Sequence, residues 1–275
     1  MPSNGRLTSL IGPWRLIWAS IQGLPSPRLP RLDPNITACS HAAVHVQVIL
    51  ELLRQDGIAA LFRSRRIRDV AGTRLLVDTS EGFIAYENTT VVPSLVGKAH
   101  GKVVEIGTGP GNQIERYNPL LVERVYGVDP NSRFATAIAA RLKQRPDLAD
   151  KYRFVACGIE DTDILATEGI SPGTIDTVVS IQSLCAVNDV KGVMRQAHRL
   201  LKPGGSFIFW EHEKSRDTVT GIAQAWSSLV GCNINRHIKA DILAAGEWEN
   251  PGEIEADDDP LTCLPRIWGV LRKKE

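Results

Sequence analysis

Val103-Val104-Glu105-Ile106-Gly107-Thr108-Gly109-Pro110-Gly111 is the stretch whose reading decides the fold. Its first four residues read as a buried strand, apolar and β-branched around one carboxylate. Three glycines then follow at alternate positions. Glycine permits φ > 0 in a tight turn and lets a ligand approach the backbone with no Cβ in the way. The pattern predicts that Asn112 to Tyr117 starts a helix, whose free N–H groups and positive dipole end face whatever sits on the turn.

The turn is not a phosphate loop. A G-x-G-x-x-G turn sets a helix N-terminus on a pyrophosphate, and a P-loop ends in Gly-Lys-Ser/Thr. Here the pattern is Glu-x-Gly-x-Gly-x-Gly, with an acid before the first glycine and no lysine after the last. An acid there repels phosphate and suits a cationic amine. Asp129 closes the next apolar run, Arg124 to Asp129, and is followed by Pro130. An acid at the tip of a second strand is placed to hold the two hydroxyls of a ribose. Ammonium, ribose and no phosphate together describe S-adenosylmethionine. The plain alternative is a glycine turn flanked by two surface acids, since short glycine motifs also arise by chance.

Downstream, apolar runs alternate with helical patterns. Asn131 to Arg145 predicts a helix capped by Asn131 or Ser132, with Phe134, Ile138 and Leu142 on one face, stopped by Pro146. Tyr152 to Gly158 predicts a third strand ending in Ile159-Glu160-Asp161. Gly158, Ile159 and Glu160 suit an adenine edge, a backbone N–H toward a ring nitrogen and a carboxylate accepting from the amino group. The same residues also suit an ordinary polar turn. Thr174 to Cys185 is a near-continuous apolar run, as expected of a strand covered on both faces. Asp189 to Leu201 predicts a helix, Lys202 to Gly205 a sharp turn, and Ser206 to His212 a fifth strand ending in an acid and a histidine. Parallel strands need helical crossovers, and ligands gather beyond their carboxyl ends. The tips therefore fall in order: turn, ribose acid, adenine edge, reaction centre.

Upstream of the turn the chain is less regular. Residues 7–24 carry Trp14 and Trp18 with Arg15 and Pro13, too short and interrupted a run to cross a bilayer, which needs about 20 apolar residues. They read either as an interfacial helix making peripheral contact with an intracellular membrane or as a helix packed on the domain. Gly23 to Leu32 is a proline-rich linker. Ala42 to Phe62 has apolar residues at helical spacing, and Arg63 to Arg68 is a basic cluster, either a solvated face or a phosphate contact. A short helix is expected within Tyr86 to Val96.

The chain has 275 residues, a net charge of +1 and 43% hydrophobic residues. That suits one α/β domain with an N-terminal extension. Near-neutral charge argues against nucleic acid as the main partner. The five cysteines are scattered and never in C-x-x-C spacing, so neither a disulfide framework nor a zinc site is suggested. A reducing, cytoplasmic setting follows.

With these residues in place, the chain resembles the class I S-adenosylmethionine-dependent methyltransferases from about Tyr86 to the C-terminus. Glu105 to Gly111 looks like the family's cofactor loop, Asp129 like its ribose acid, and Leu201-Lys202-Pro203-Gly204-Gly205 like the turn before its fifth strand. Glu211-His212, Gly231 to Arg236 and the ending Pro265 to Lys273 look like the membrane-associated subfamily that includes alkyl-thiol S-methyltransferases. The resemblance implies a Rossmann-like three-layer αβα sandwich with a mostly parallel seven-stranded sheet, its last strand antiparallel. It divides the chain into an extension, 1–85, and a cofactor-binding domain, 86–275.

It also implies methyl transfer to sulfur, oxygen or nitrogen of a small molecule, in a setting such as specialised metabolism. The cofactor residues expected are Glu105, Gly107, Thr108, Gly109, Gly111, Asp129, Pro130, Gly158, Ile159, Glu160, Ser180, Ile181 and Gln182. Gln182, Cys185 and His212 are the candidates for the acceptor side, with His212 as general base or simply packing the strand end. No metal cluster stands out. The segment between His212 and Gly231 is shorter than in that subfamily, which leaves open a cofactor-binding partner without transfer activity. A nicotinamide-dependent oxidoreductase is disfavoured by the acid before Gly107 and by the glycine spacing.

Overall fold

The computed structural model describes residues 38–57, 64–216, 233, 235–258 and 265–275. The expectations for 7–24 and the proline-rich linker, and most of the segment after His212, lie outside the described residues. Seven strands form one sheet in the order β3-β2-β1-β4-β5-β7-β6. They are β1 (Gly101–Ile106), β2 (Val122–Val128), β3 (Tyr152–Val155), β4 (Ile175–Ile181), β5 (Leu201–His212), β6 (Glu255–Ala256) and β7 (Arg266–Arg272). β1 to β5 are mutually parallel, and β7 runs antiparallel to β5 and β6. The expected α/β sandwich is therefore present, down to the reversed last strand.

The sheet is covered on both faces, which is why β4 is buried at six of its seven positions. One core joins Val104, Val178 and Phe207 to the helices α7 (Thr162–Thr167), α8 (Val190–Leu200) and α9 (Ile238–Leu243). α8 buries Val190, Val193, Met194, Ala197 and Leu200 at helical spacing, and the Asp189 carboxylate caps it by accepting from Gly192 N at 3.0 Å. Fully burying a valine, leucine or methionine side chain of this kind contributes about 1.5–3 kcal/mol, and the alanine less. The opposite core joins Val103, Val125, Val179, Ile208 and Trp210 to α4 (Val92–Val96), α5 (Ala135–Leu142) and α6 (Pro146–Ala149).

Before the sheet come α1 (Ala38–Asp56), α2 (Ser64–Asp78) and α3 (Ser80–Glu87). Val48, Leu52 and Ala71 make a separate small core between α1 and α2. Asn131, just past β2, donates to Thr73 Oγ1 at 2.8 Å and to the Asp69 carbonyl at 3.1 Å, so α2 lies against the strand tips. Among the described residues, no helix is long and apolar enough to cross a membrane.

One expectation fails. After the glycine turn there is only a 3-10 turn, Ile114–Arg116, and Tyr117 is already extended at φ −66°, ψ 132°. Asn118-Pro119 explains it: the residue before a proline is pushed out of the α region, so too few positions remain for a helix. With no helix of useful length there, the dipole argument for the turn lapses.

Candidate active site

The C-terminal ends of β1 to β5 lie side by side. Ile106 pairs with Val128 and Ser180, Val128 with Val155, and Ile181 with Trp210. The turn begins directly after Ile106 and is sewn to β2 by Gly107 N donating to the Val128 carbonyl at 2.8 Å. Gly107 and Gly109 have φ of 64° and 52°, so both need glycine. Their surroundings differ. A Cβ on Gly107 would meet Ser183 Cβ at 2.7 Å, whereas one on Gly109 would meet nothing within 4 Å. The expectation that Gly107 leaves room for a ligand is thus corrected: the loop after β4 takes that room. Gly111 is likewise closed by Ile114. The open approach is at Gly109.

Asp129 follows β2 and is 8% exposed. Its Oδ2 accepts from Gly109 N at 3.0 Å and its Oδ1 from Asn131 N at 2.9 Å. Each carboxylate oxygen keeps a further acceptor position, and Pro130 is exposed beside it. Burial raises the Asp129 pKa, against the two N–H donors that lower it. Gly158 and Ile159 are buried and Glu160 is exposed at the tip of β3, and Gly158 N donates to Asp161 Oδ2 at 2.7 Å.

Glu105 sits under the turn rather than at its surface. Its Oε2 accepts from the phenols of Tyr117 at 3.0 Å and Tyr152 at 3.4 Å, and Tyr152 also bonds buried Thr108. Burial lifts the Glu105 pKa from its ordinary 4.5 to about 7, with hydrogen bonds from Tyr117, Thr108 and Tyr152 opposing. Glu105 and Asp129 share no hydrogen-bond partner among the described residues, but both act electrostatically on the Tyr152 hydroxyl.

At the tip of β4, Ser180 is fully buried and Gln182 holds φ of 54°, the left-handed value that is uncommon outside glycine. Two sets of contacts maintain it. Glu211 of β5, fully buried, accepts from Ser180 Oγ at 2.7 Å, Ser183 N at 3.0 Å and Leu184 N at 3.2 Å, fixing the loop backbone. The Gln182 side chain donates to Glu87 Oε1 at 2.8 Å and accepts from Arg266 Nη2 at 3.1 Å. Glu87 ends α3 and pairs with Arg116 at 2.7 Å, both side chains only 3% exposed. Cys185 is buried with its thiol toward the Gln182 carbonyl at 3.6 Å, and Arg236 donates to the Leu184 carbonyl at 2.9 Å. His212, 8% exposed, ends β5 opposite Arg266.

Ile181 is buried between these tips. The sequence reading did not single out Glu87, Arg116 or Arg266 as site residues. Glu87 had a partial signal, lying in the stretch expected to form a helix before β1. Arg266 and Arg116 had none, because their partners are distant in the chain.

Comparison with known proteins bears on the family and the fold. Residues 104–209 match a family model described as a methyltransferase domain. The chain is 35% identical to human thiol S-methyltransferase TMT1B over 178 residues, which is 61% of this chain and 68% of that protein. It is 29% identical to human thiol S-methyltransferase TMT1A over 141 residues, 49% of this chain and 54% of that protein. The chain thus spans from about half to about two thirds of these relatives. Among solved structures, geranyl diphosphate C-methyltransferase from Streptomyces coelicolor, in complex with S-adenosylhomocysteine, shares the fold at a TM-score of 0.51 and 15% identity, over 68% of this chain and 79% of that one.

Relatives that are themselves transferases disfavour the reading of an inactive cofactor-binding partner. The chain belongs to the class I S-adenosylmethionine-dependent methyltransferases that methylate small molecules, and is related there to the thiol S-methyltransferases.

Proposed function

We propose that the acceptor is a thiol and that the strand tips divide the work as follows. Gly109 faces the methionine end of the cofactor, and Glu105, Gly107, Thr108 and Gly111 shape the turn from beneath. Asp129, with Pro130, takes the ribose, and Gly158, Ile159 and Glu160 take the adenine. Ser180, Ile181 and Gln182 border the sulfonium. Gln182, Cys185 and His212 border the acceptor. The observation that carries this reading is the Asp129 carboxylate held by Gly109 N–H, at the turn glycine whose side-chain direction is open. The thiol is supported by the names of the relatives.

When bound, S-adenosylmethionine supplies an electrophilic methyl group on a cationic sulfur. Buried Glu105 and Asp129 favour that cation. Gln182 and its fixed loop would align the acceptor sulfur with that methyl group for in-line displacement, the departing sulfur keeping the electron pair of the broken bond. The thiol proton passes to an imidazole nitrogen of His212. Buried Trp210 and Ile181 help to exclude water.

Residues 86–275 carry this chemistry in the proposal, while α1 and α2 cap the tips. Contact of 7–24 with a membrane surface belongs to the same proposal, supported by Trp14, Trp18 and Arg15 in the sequence alone. An activity screen with labelled cofactor across thiols, phenols, carboxylic acids and amines tests the acceptor. Thiols should be methylated fastest. Methylation of another class with thiols untouched would remove the assignment.

A further inference from the structure

Among the described residues, three buried side-chain nitrogens lack a hydrogen-bond partner: Nε and Nη1 of Arg266 and Nε1 of Trp268. All three are on β7, two positions apart, and so on one face of it. Buried donors are rarely left without a partner. Arg266 is 7% exposed. One of its nitrogens is used by Gln182, and its guanidinium carbon lies 4.5 Å from the centroid of the Trp210 ring, which orients the group. Glu211 is the carboxylate that acts on it electrostatically, but the Glu211 oxygens are taken up by Ser180, Ser183 and Leu184. Tyr86 lies against it as well, as a hydrogen-bond partner and through its charge, and Cys185 lies within its field, which leaves Nε and Nη1 as the unused donors.

We propose that Arg266 binds an anionic group of the methyl acceptor and so selects small anionic acceptors. The site offers donors and positive charge, and Gln182 ties it to the strained residue at the tip of β4. The cofactor's own carboxylate is the weaker match. β7 is three strands from β1 across β4 and β5, about 14 Å at the usual strand spacing, and Asp129 lies on the far side of β1. The anion is either the acceptor sulfur itself, held as thiolate, or a carboxylate elsewhere on the acceptor. This rests on the acceptor reading above.

The test uses the full chain with Arg266→Met and Arg266→Lys. Turnover is measured with 3-mercaptopropanoate and its methyl ester, and calorimetry on the S-adenosylhomocysteine complex uses the unreactive 3-(methylthio)propanoate. Arg266→Met should raise KM for 3-mercaptopropanoate by about tenfold to a hundredfold, the worth of charge-assisted hydrogen bonds, with kcat changed less. Arg266→Lys should restore part of the loss, and affinity for S-adenosylhomocysteine should be unchanged. Loss confined to the carboxylate acceptor assigns the anion to the carboxylate, and equal loss with the ester assigns it to the thiolate. Either result upholds the proposal.

Unchanged KM for both acceptors overturns it, as does an equal loss of affinity for S-adenosylhomocysteine. If the wild type transfers no methyl group but binds 3-(methylthio)propanoate through Arg266, the thiol reading falls and the anion site stands. Arg266→Met also breaks the bond to Gln182, so Tm is measured beside KM, and unchanged S-adenosylhomocysteine affinity separates loss of acceptor binding from loss of fold.

Discussion

At the tips of β1 and β2 the buried polar groups are occupied by one another. Glu105 has two phenols, Asp129 has two backbone N–H groups, and Gly107 N has the Val128 carbonyl. At the tips of β4, β5 and β7 the packing is as dense, yet Gln182 is held at positive φ and Arg266 retains unused donors. The first region is held together without a ligand and leaves one the space beside Gly109 and the spare acceptor positions of Asp129. The second stores strain and unspent hydrogen bonds, which is where bound substrate can be recognised. The pairing suits an enzyme that uses one common cofactor and discriminates among acceptors.

The largest effect should come from adding bulk to the first region. Gly107→Val places a branched side chain at φ 64° against Ser183, so Tm and cofactor binding should fall together. Gly109→Ala meets no neighbour, and should lose more affinity than stability. If the two variants behave alike, the distinction between a packing glycine and a ligand-facing glycine is wrong.

Glu105 sharpens the same contrast through pH. Because burial raises its pKa from 4.5 to about 7, its stabilising contribution is full below pH 4.5 and lost as pH rises through about 7. The shift corresponds to about 3 kcal/mol. Glu105→Gln should therefore gain stability over the wild type as pH rises through that window, read as the difference in denaturant midpoints at pH 5 and pH 8. It should also weaken binding of the cationic cofactor above pH 7. A constant stability difference across the range would show that Glu105 is not titrating there.

The smallest effect on stability belongs to the second region. Gln182→Gly relieves the left-handed strain of about 1–3 kcal/mol but removes the hydrogen bonds to Glu87 and Arg266, so the two changes largely cancel in Tm. Methyl transfer should nevertheless drop. Transfer at the wild-type rate would mean that the strain at Gln182 serves no purpose in the reaction.

The parallel sheet was legible because its strands are short, mostly apolar segments separated by helical patterns and its turn is marked by glycines. That the tips of β1 to β5 gather at one end of the sheet followed from parallel geometry. What was not legible depends on contacts between distant residues. Gly107 reads like Gly109 in the sequence, and only the packing of Ser183 separates them. Glu105 read as an acid aimed at the turn, and only the structure shows Tyr117 and Tyr152 bonded to it from within the core. Arg266 is one arginine beside a proline, and its isolation is visible only once β7 lies beside β5. The missing helix after the turn was readable in principle, since Asn118-Pro119 follows too closely to allow one.

Calorimetric titration of the full chain with S-adenosylmethionine and S-adenosylhomocysteine, repeated on Asp129→Ala, tests the central claim most directly. The wild type should bind both, and the variant should lose about tenfold to a hundredfold in affinity, the worth of hydrogen bonds to a charged group. No binding by the wild type at high micromolar concentration, or equal affinity in the variant, would contradict the account.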